Sequence, residues 1–428
     1  MKMLFRQTVP KQASFLFRQA VSTFGPADAE FFADFAAGQY RWNGANKLLS
    51  DFSFTRSTTG TFLGSNGLIQ TAAINTPRIQ FNNSGTALGY LNEAAATNLV
   101  TNSENFSLAN FNVTTTVNST TAPDGTTTAD TLTGNATISS HSNATNSISY
   151  MSGVIYTISC WIKKNTADFA QLVLPGAAFG FDAYASYNLT TDAFYNVGAG
   201  TTARVVTFNN GWRRLSMTRT ASSTASGTAL VAFTNAGGGR IPSFNASGLS
   251  FHCWGLQIEA NPMATSYIPT TSASVTRAAD AMSVSSLIGL GTTTGTIFAK
   301  GQRSIGATST GTAMVAISNG GTTGEVYLAN LVAGTGFGSG MGDATQAGWT
   351  IGNMAKAAHA FSNSTASRIS VAGSGSNGAV GGTLNTGLNR VDIGTRMNGS
   401  TPMQSAIIEQ IVLYPARLSD SALDGVTA

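Results

Sequence analysis

The chain has 428 residues, of which 10% are charged and 42% are hydrophobic, and its formal net charge is +4 at pH 7. An average soluble protein carries roughly 25% charged residues, so Thr, Ser and Asn must supply the polar surface, and these residues favour strands and turns over helix interiors. The basic residues form no block that could neutralise a run of phosphates, so nucleic-acid binding is not expected. The length exceeds one ordinary core and predicts two or three domains.

Residues 1–28 differ in pattern from the rest of the chain. Apolar residues recur there at helical spacing, namely Ala13, Phe17, Ala20, Val21 and Phe24. Gly25-Pro26 then supplies a stop signal. The pattern predicts one short amphipathic helix in an N-terminal anchor or docking segment, which either packs on the first sandwich or docks on a partner. We find no export signal and no apolar run of the roughly 18–20 residues that cross a bilayer, so we expect synthesis in a reducing cytoplasm and no membrane insertion.

Residues 29–98, named here the leading segment, alternate short strand-like runs with turn signals. Ser65-Asn66-Gly67 predicts a hairpin turn between Thr61-Phe62-Leu63 and Leu68-Ile69-Gln70. Strands this short need a partner sheet to bury one face. We therefore expect the leading segment to pack on the first sandwich.

Residues 99–270 show the most regular alternation. Period-2 spacing places one set of side chains on a common face, which should be core: Val154, Tyr156, Ile158, Cys160 and Ile162. Further strands at even spacing predict a jelly roll, and residues 271–428 repeat this style without a fixed repeat and predict a second sandwich. The fold class is therefore all-β, with two tandem β-sandwich or jelly-roll domains preceded by a short N-terminal helix and strand segment.

The two cysteines, Cys160 and Cys253, lie in strand-like runs. Two buried small side chains are the simpler interpretation, and a disulfide between neighbouring strands is the alternative. Two cysteines alone cannot form a zinc site.

Three passages, in chain order, carry short motifs that are found together in known proteins. The first, similar to an "FTR…G.I…PR" segment that runs into "TNLLLNSE", comprises Phe52–Arg56, Gly67–Ile69, Thr76–Arg78 and Asn98–Glu104. The second, similar to a carbohydrate-binding-module-like jelly roll, comprises Ala122–Asp130, Gly211–Arg214, Trp254–Glu259 and Thr265–Thr270. The third, Ile408–Leu423, resembles the closing strand and turn of a concanavalin A-like or laminin G-like sandwich.

In this order the three passages resemble a mosaic of bacteriophage tail-fibre and related virion proteins. The resemblance implies a virion structural protein of the tail-fibre or spike type, assembled in the host cytoplasm and frequently a homotrimer. Its lectin-like sandwiches would attach to host-surface glycan, and weak sites would gain from multivalent display. Residues 1–28 are our candidate for contact with other virion proteins. Two alternatives stay open: a purely architectural head-decoration or tail-adaptor protein without glycan binding, and a polysaccharide depolymerase.

Enzymatic activity is not expected from the motifs. No G-x-S-x-G nucleophile motif occurs, and the three histidines, His141, His252 and His359, show no metal-ligand spacing. A glycoside hydrolase needs two facing carboxylates, whereas the strand-associated acids are isolated from one another: Glu325, Asp392 and Glu409. No cofactor is expected, although a jelly roll of this type leaves open a calcium ion near Asp124 or Asp130.

A sugar-binding site requires an aromatic ring that contacts the apolar face of the sugar, with polar groups around it. The candidates are Trp161, Trp212 with Arg214 on the same strand face, and Trp349. Each tryptophan could instead be covered by a neighbouring segment. Trp254 lies in the closing-strand motif, where the resemblance implies a packing role.

Overall fold

A computed structural model describes residues 29–289, 294–303, 313–320, 325–330, 336–339, 345–347, 352–380, 387–396, 403 and 405–428. Within these ranges regular structure is almost entirely β, and the longest helix has eight residues. The all-β class with sandwich domains is therefore confirmed. No helix in this part of the chain is long and apolar enough to cross a membrane. The helix predicted within residues 1–28, and Trp349, lie outside the described residues.

The leading segment forms nine short strands. They are β1 (Phe31–Asp34), β2 (Gln39–Trp42), β3 (Ala45–Lys47), β4 (Ser53–Thr55), β5 (Gly60–Leu63), β6 (Ile69–Ala72), β7 (Ile79–Phe81), β8 (Ala87–Glu93) and β9 (Ala96–Asn98). A 3₁₀ turn, Leu49–Asp51, separates β3 from β4. Strands β5 and β6 form the hairpin predicted around Ser65-Asn66-Gly67, with Leu63 opposite Ile69.

The next fourteen strands include all those of a two-sheet sandwich, named here the middle sandwich. They are β10 (Asn110–Phe111), β11 (Val113–Thr120), β12 (Ala129–Gly134), β13 (Ser142–Ala144), β14 (Ile148–Tyr150), β15 (Ile155–Lys164), β16 (Phe169–Val173), β17 (Tyr184–Asn188), β18 (Ala193–Val197), β19 (Thr202–Thr207), β20 (Trp212–Thr220), β21 (Ala225–Gly227), β22 (Leu230–Phe233) and β23 (Ser250–Glu259). One sheet has the order β10-β13-β22-β16-β17-β18, and the other has the order β11-β12-β23-β15-β20-β19. A one-turn helix, α1 (Gly176–Phe179), follows β16, and a 3₁₀ turn, Asn209–Gly211, precedes β20.

The core of the middle sandwich lies where the alternation predicts it. On β15 the side chains of Tyr156, Ile158, Cys160 and Ile162 are all buried. Both cysteines are buried and free, which confirms their interpretation as small core side chains and not as a disulfide. Burial raises the pKa of the Cys160 thiol to about 12.

The remaining strands belong mainly to a second sandwich, named here the outer sandwich. They are β24 (Val275–Arg277), β25 (Ala281–Val284), β26 (Thr294–Arg303), β27 (Ala313–Ser318), β28 (Val326–Asn330), β29 (Gly336–Ser339), β30 (Thr345–Ala347), β31 (Met354–Ser362), β32 (Ala366–Val371), β33 (Ser374–Val380), β34 (Arg390–Ile393) and β35 (Ser405–Tyr414). A final helix, α2 (Asp420–Thr427), is capped by the Ser419 hydroxyl and buries Leu423 against Phe298 and Val412.

The expectation that the leading segment packs on the first sandwich is wrong for most of its strands. One sheet of the outer sandwich has the order β3-β2-β1-β35-β26-β31-β32-β33, and β8 pairs with the other half of β35. The second sheet, β30-β29-β28-β27-β34-β25-β4, ends on a strand of the leading segment. The β5–β6 hairpin contacts the middle sandwich, where the Ile69 amide donates to the Pro123 carbonyl, and Asn83 in the turn between β7 and β8 donates to the Thr207 carbonyl.

Aromatic residues explain why the leading segment joins the outer sandwich. Phe31 stacks on Trp42 with ring centres 5.6 Å apart, and Phe52 packs edge-on against Trp42 at 4.9 Å. These rings share a buried core with strands β26, β27 and β35. Such aromatic clusters contribute through both buried area and ring geometry.

The middle sandwich is inserted into the outer one through a two-stranded stem. Strand β9 pairs antiparallel with β24, with Asn98 opposite Val275 and Ala96 opposite Arg277. The chain therefore enters and leaves the middle sandwich side by side, and the two domains are nested instead of strictly tandem.

Five buried charged side chains lie at the base of this stem. We name them the junction cluster: Arg56, Arg78, Glu93, Arg277 and Asp280, with side-chain exposure of 0–2%. Arg78 bridges both carboxylates, with 2.8 Å to Glu93 Oε2 and a second contact to Asp280 Oδ2. Arg56 lies 2.9 Å from Asp280 Oδ1, and Arg277 lies 3.5 Å from Glu93. The arginines of the "FTR" and "PR" motifs thus hold the junction together.

Candidate functional site

The outward face of the sheet that contains β15, β20 and β19 carries three of the four predicted sugar-binding residues. The register sets two parallel rows of side chains across these strands, namely Trp161–Arg214–Val206 and Ser159–Ser216–Arg204. Because successive residues of a strand point to opposite faces, both rows project away from the core.

Trp161 is buried beneath this face. Its side chain is 1% exposed, and its ring centre lies 5.3 Å from that of Trp254, 5.5 Å from that of Tyr267 and 5.8 Å from that of Phe208. The guanidinium of Arg214 lies 4.2 Å from the ring centre. The structure therefore gives Trp161 no open face for a sugar, and the indole instead supports the arginine by a cation–π contact.

Arg214 is held in place by several contacts. Nη1 donates to the Thr265 carbonyl at 2.6 Å and Nη2 donates to Ser159 Oγ at 3.0 Å, while Nε has no partner within the described ranges. Burial lowers the pKa of Arg214 to about 10, against the opposing charges of Glu259 and Glu93. The side chain is therefore protonated at neutral pH and presents a fixed positive charge.

A cleft of about 330 Å³ opens over this face of the middle sandwich. The β5–β6 hairpin, the loop of residues 263–267 and the edge of the outer sandwich at Ser405 and Ile407 form its other walls. Its lining includes the half-buried rings of Phe62 and Phe208 and the exposed side chains of Arg204 and Val206. Arg214 also lines the cleft, so apolar surface and hydrogen-bond donors face the same space.

Trp212 lies on the same sheet but beside a different cleft. Its side chain is 2% exposed, and Nε1 donates to the Thr121 carbonyl at 3.1 Å. The second cleft, also about 330 Å³, is lined by Trp212 together with Lys163, Asn209 and Asn210. Trp212 and Trp161 are thus neighbours in the sheet without forming one platform.

Trp254 lies opposite Trp161 on the neighbouring strand β23 and is 1% exposed. Its Nε1 donates to Thr128 Oγ1 at 3.0 Å. The packing role implied by the closing-strand motif agrees with this position.

The aspartates considered for calcium serve as acceptors for turns. Asp130 is buried and accepts from the amides of Phe106 at 2.9 Å and Asn118 at 2.8 Å. Asp124 accepts from both the amide and the hydroxyl of Thr126. In the part of the chain that the structure covers, no three His, Cys, Asp or Glu residues are grouped to hold a metal. A calcium site near them stays a prediction.

The three strand-associated acids each contact a different basic side chain. Glu325 lies 3.2 Å from Arg396, Asp392 lies 2.6 Å from Arg390, and Glu409 lies 2.5 Å from Lys300. These ion pairs are structural contacts within the outer sandwich.

The histidines are likewise integrated into the sheets. His141 is buried and its two ring nitrogens lie within hydrogen-bond distance of backbone carbonyls, and Nδ1 of His252 lies 2.8 Å from Thr131 Oγ1. His359 is buried in β31.

Sequence reasoning missed Arg204, Phe208 and Phe62 as cleft residues. The signal for Arg204 was present, because alternation along β19 places Arg204 and Val206 on the face opposite Ala203 and Val205. Phe62 reaches the cleft only through the tertiary contact of its hairpin, which no local pattern encodes.

Comparison with known proteins leaves the chain without a family. No family model matches the sequence, and no curated protein matches it. Among solved structures, the chain is similar to the N-terminal CBM22-1-CBM22-2 tandem domain of Xyn10C from Paenibacillus barcinonensis, with 14% identity and a TM-score of 0.24. That match covers 75% of this chain and 98% of the other. A similarity of this size identifies no family.

Proposed function

We propose that this chain is a non-enzymatic virion structural protein of the tail-fibre or spike type, from a bacteriophage or phage-like particle. In this proposal it attaches the particle to host-surface glycan through the cleft on the middle sandwich. The ordered motifs from the leading segment to β35 support the virion setting by resemblance. The observation that carries the binding function is the cleft, which joins aromatic surface and arginine donors.

The cleft has the chemistry that a sugar requires. The half-buried rings of Phe62 and Phe208 offer apolar surface to the C–H face of a pyranose. Arg204, Ser216 and Thr218 line the same space and supply donors and acceptors for hydroxyl groups. A volume of about 330 Å³ is at the lower end of the range for small-ligand sites, roughly 300–1,000 Å³. A short part of a glycan is therefore the expected occupant.

Attachment through such a small site depends on multivalency. Several copies on one particle raise the effective concentration of the second and later contacts, so weak individual binding becomes firm attachment. We propose a homo-oligomer, with a trimer favoured, joined to other virion proteins through residues 1–28. The competing proposals are an architectural head-decoration or tail-adaptor role and, less favoured, a depolymerase.

The test is a glycan array probed with the full-length protein displayed multivalently on beads. Phe208→Ala should lower binding of the selected glycan at least tenfold, because it removes one aromatic wall. Phe181→Ala is the matched control, since Phe181 is 78% exposed and lies outside the lining of the cleft. Phe62→Ala provides a second cleft variant, in which the ring removed comes from the β5–β6 hairpin.

Three outcomes would overturn the proposal. If no glycan is bound on the array, or if both cleft variants bind as well as the wild type, the cleft is not a glycan site and the architectural role is favoured. Release of reducing ends from host polysaccharide during incubation would show that the protein is an enzyme.

A further inference from the structure

We infer that the cleft selects glycans that carry an acidic group, either a sugar carboxylate or a phosphate substituent, and that Arg204 and Arg214 bind this group. The inference rests on the proposed glycan-binding function and adds the ligand class. It follows from the distribution of charge in the cleft.

The charged side chains that line the cleft are Glu93, Arg204 and Arg214. Glu93 belongs to the junction cluster and is 1% exposed, with Arg78 at 2.8 Å and Arg277 at 3.5 Å. Its negative charge is therefore compensated from behind the cleft wall. The charge left to act on a ligand is the positive charge of the two cleft arginines.

Neither cleft arginine forms an ion pair within the described ranges. Arg204 is exposed, and within the described ranges its guanidinium has no hydrogen-bond partner, since the Ser216 hydroxyl donates to the backbone carbonyl of Arg204. Glu259, the acid that acts most strongly on Arg214, has its carboxylate engaged by Thr265 and Gln257. Both guanidinium groups thus keep donors for an anion.

Arg214 is pre-organised to bind. Stacking on Trp161 and two hydrogen bonds fix its planar group. Nε is buried, and Nη1 and Nη2, which carry two N–H groups each, retain one N–H group each for a ligand. A donor that is already ordered loses little conformational entropy when a ligand arrives.

The two arginines are diagonal neighbours on one face of the sheet. Arg214 lies opposite Val206, and Arg204 precedes Val206 by two residues on the same strand. Diagonal residues of an antiparallel pair are about 7–8 Å apart, within reach of one bound group for long side chains. Two neighbouring positive charges repel each other unless an anion lies between them. A carboxylate or phosphate, which accepts hydrogen bonds on two oxygens, satisfies both.

The experiment uses the full-length protein and three polymers of equal valency, which display glucuronic acid, glucose or glucose 6-phosphate. The glycan that the wild-type protein selects on the array is also tested, and binding of its acidic form is compared with binding of its neutral form. Acidic ligands should bind at least tenfold more tightly than their neutral counterparts. A higher salt concentration should weaken the binding of the acidic ligands and leave the binding of the neutral ligands unchanged. The carboxylate and phosphate polymers distinguish the two sources of charge.

Arg204→Gln and Arg214→Gln should each reduce the preference for acidic ligands to near the neutral level. Because Arg204 is exposed, its variant tests the inference even if Arg214→Gln fails to fold. Arg240→Gln, on an arginine outside the cleft lining, is the matched control and should bind as the wild type does. Equal binding of acidic and neutral ligands, or unchanged binding by Arg204→Gln, overturns the inference but leaves the proposed function intact. Failure of every ligand to bind overturns both.

Discussion

Substitution of Glu93 by Gln tests whether the junction cluster stabilises the two nested sandwiches. Its carboxylate accepts from Arg78, from the Ser266 amide at 2.8 Å and from the Ser266 hydroxyl at 2.6 Å, and it lies 3.5 Å from Arg277. Burial alone would raise the pKa of Glu93, but the charges of Arg277 and Arg78 and the bonds from Ser266 outweigh it and lower the pKa from 4.5 to about 2.

The size of the effect follows from this pKa. A lowering from 4.5 to about 2 corresponds to about 3 kcal/mol in favour of the ionised, folded state. Removing one partner of a buried ion pair independently predicts a loss of about 3–5 kcal/mol, because charges are left uncompensated. We therefore expect Glu93→Gln to lower the free energy of unfolding at pH 7 by about 3–5 kcal/mol.

The pH dependence provides a second readout. A carboxyl group with a lowered pKa in the folded state stabilises the protein above its unfolded value of 4.5, and this contribution is lost as the pH falls from 4.5 towards 2. Urea unfolding of the wild type across this interval should show the loss, and Glu93→Gln should show a flatter profile.

A matched control is Asp168→Asn, which breaks an ion pair to Lys164 in which the two side chains are 53% and 36% exposed. This variant should unfold at the same urea concentration as the wild type, since exposed pairs contribute little. If Glu93→Gln unfolds like the control and keeps the wild-type pH profile, the junction cluster does not stabilise the fold as reasoned here.

Two further predictions concern the sheets. Gly89→Ala should lower the unfolding free energy by at least about 1–3 kcal/mol in a urea titration. The reason is that Gly89 has a φ of +137° and an added Cβ would lie 2.3 Å from the Ile408 carbonyl oxygen. Gly237→Ala, where nothing lies within 4 Å of the added Cβ, should have no such effect in the same titration. Burial raises the pKa of Cys160 to about 12 and that of Cys253 well above its usual value. Neither thiol should therefore react with a disulfide reagent at pH 8 until the protein unfolds. Rapid modification of the native protein would contradict their burial.

The sequence predicted best where one pattern decides the outcome. Alternation along β15 gave the correct core face, since Tyr156, Ile158, Cys160 and Ile162 lie in the sandwich core and Trp161 lies on the opposite face. It could not say which sheet buries a strand. The short strands of the leading segment therefore were assigned to the wrong sandwich, because Phe31, Trp42 and Phe52 fit any apolar core equally well.

The candidate site was predictable in part, for a related reason. Alternation placed Arg214 on the same strand face as Trp212, and the strand register sets Arg214 opposite Trp161. Whether an indole face stays open depends on segments distant in the sequence, and here Tyr267 and Phe208 cover Trp161. The sequence also gives no sign that Arg56 and Arg78 are buried, because the acids that neutralise them come from other segments.

The stem formed by β9 and β24 has a consequence for the order in which the chain folds. Strand β1 can complete its sheet only after β35 is synthesised, since Phe31 lies opposite Leu413. Pairing partners this distant in sequence normally carries a large loop-closure entropy. A middle sandwich that folds first brings Asn98 and Val275 side by side, so residues 99–274 no longer add to the length of that loop. The inserted domain therefore holds the two parts of the outer sandwich close together. The strands of the leading segment must avoid aggregation until β35 has been synthesised.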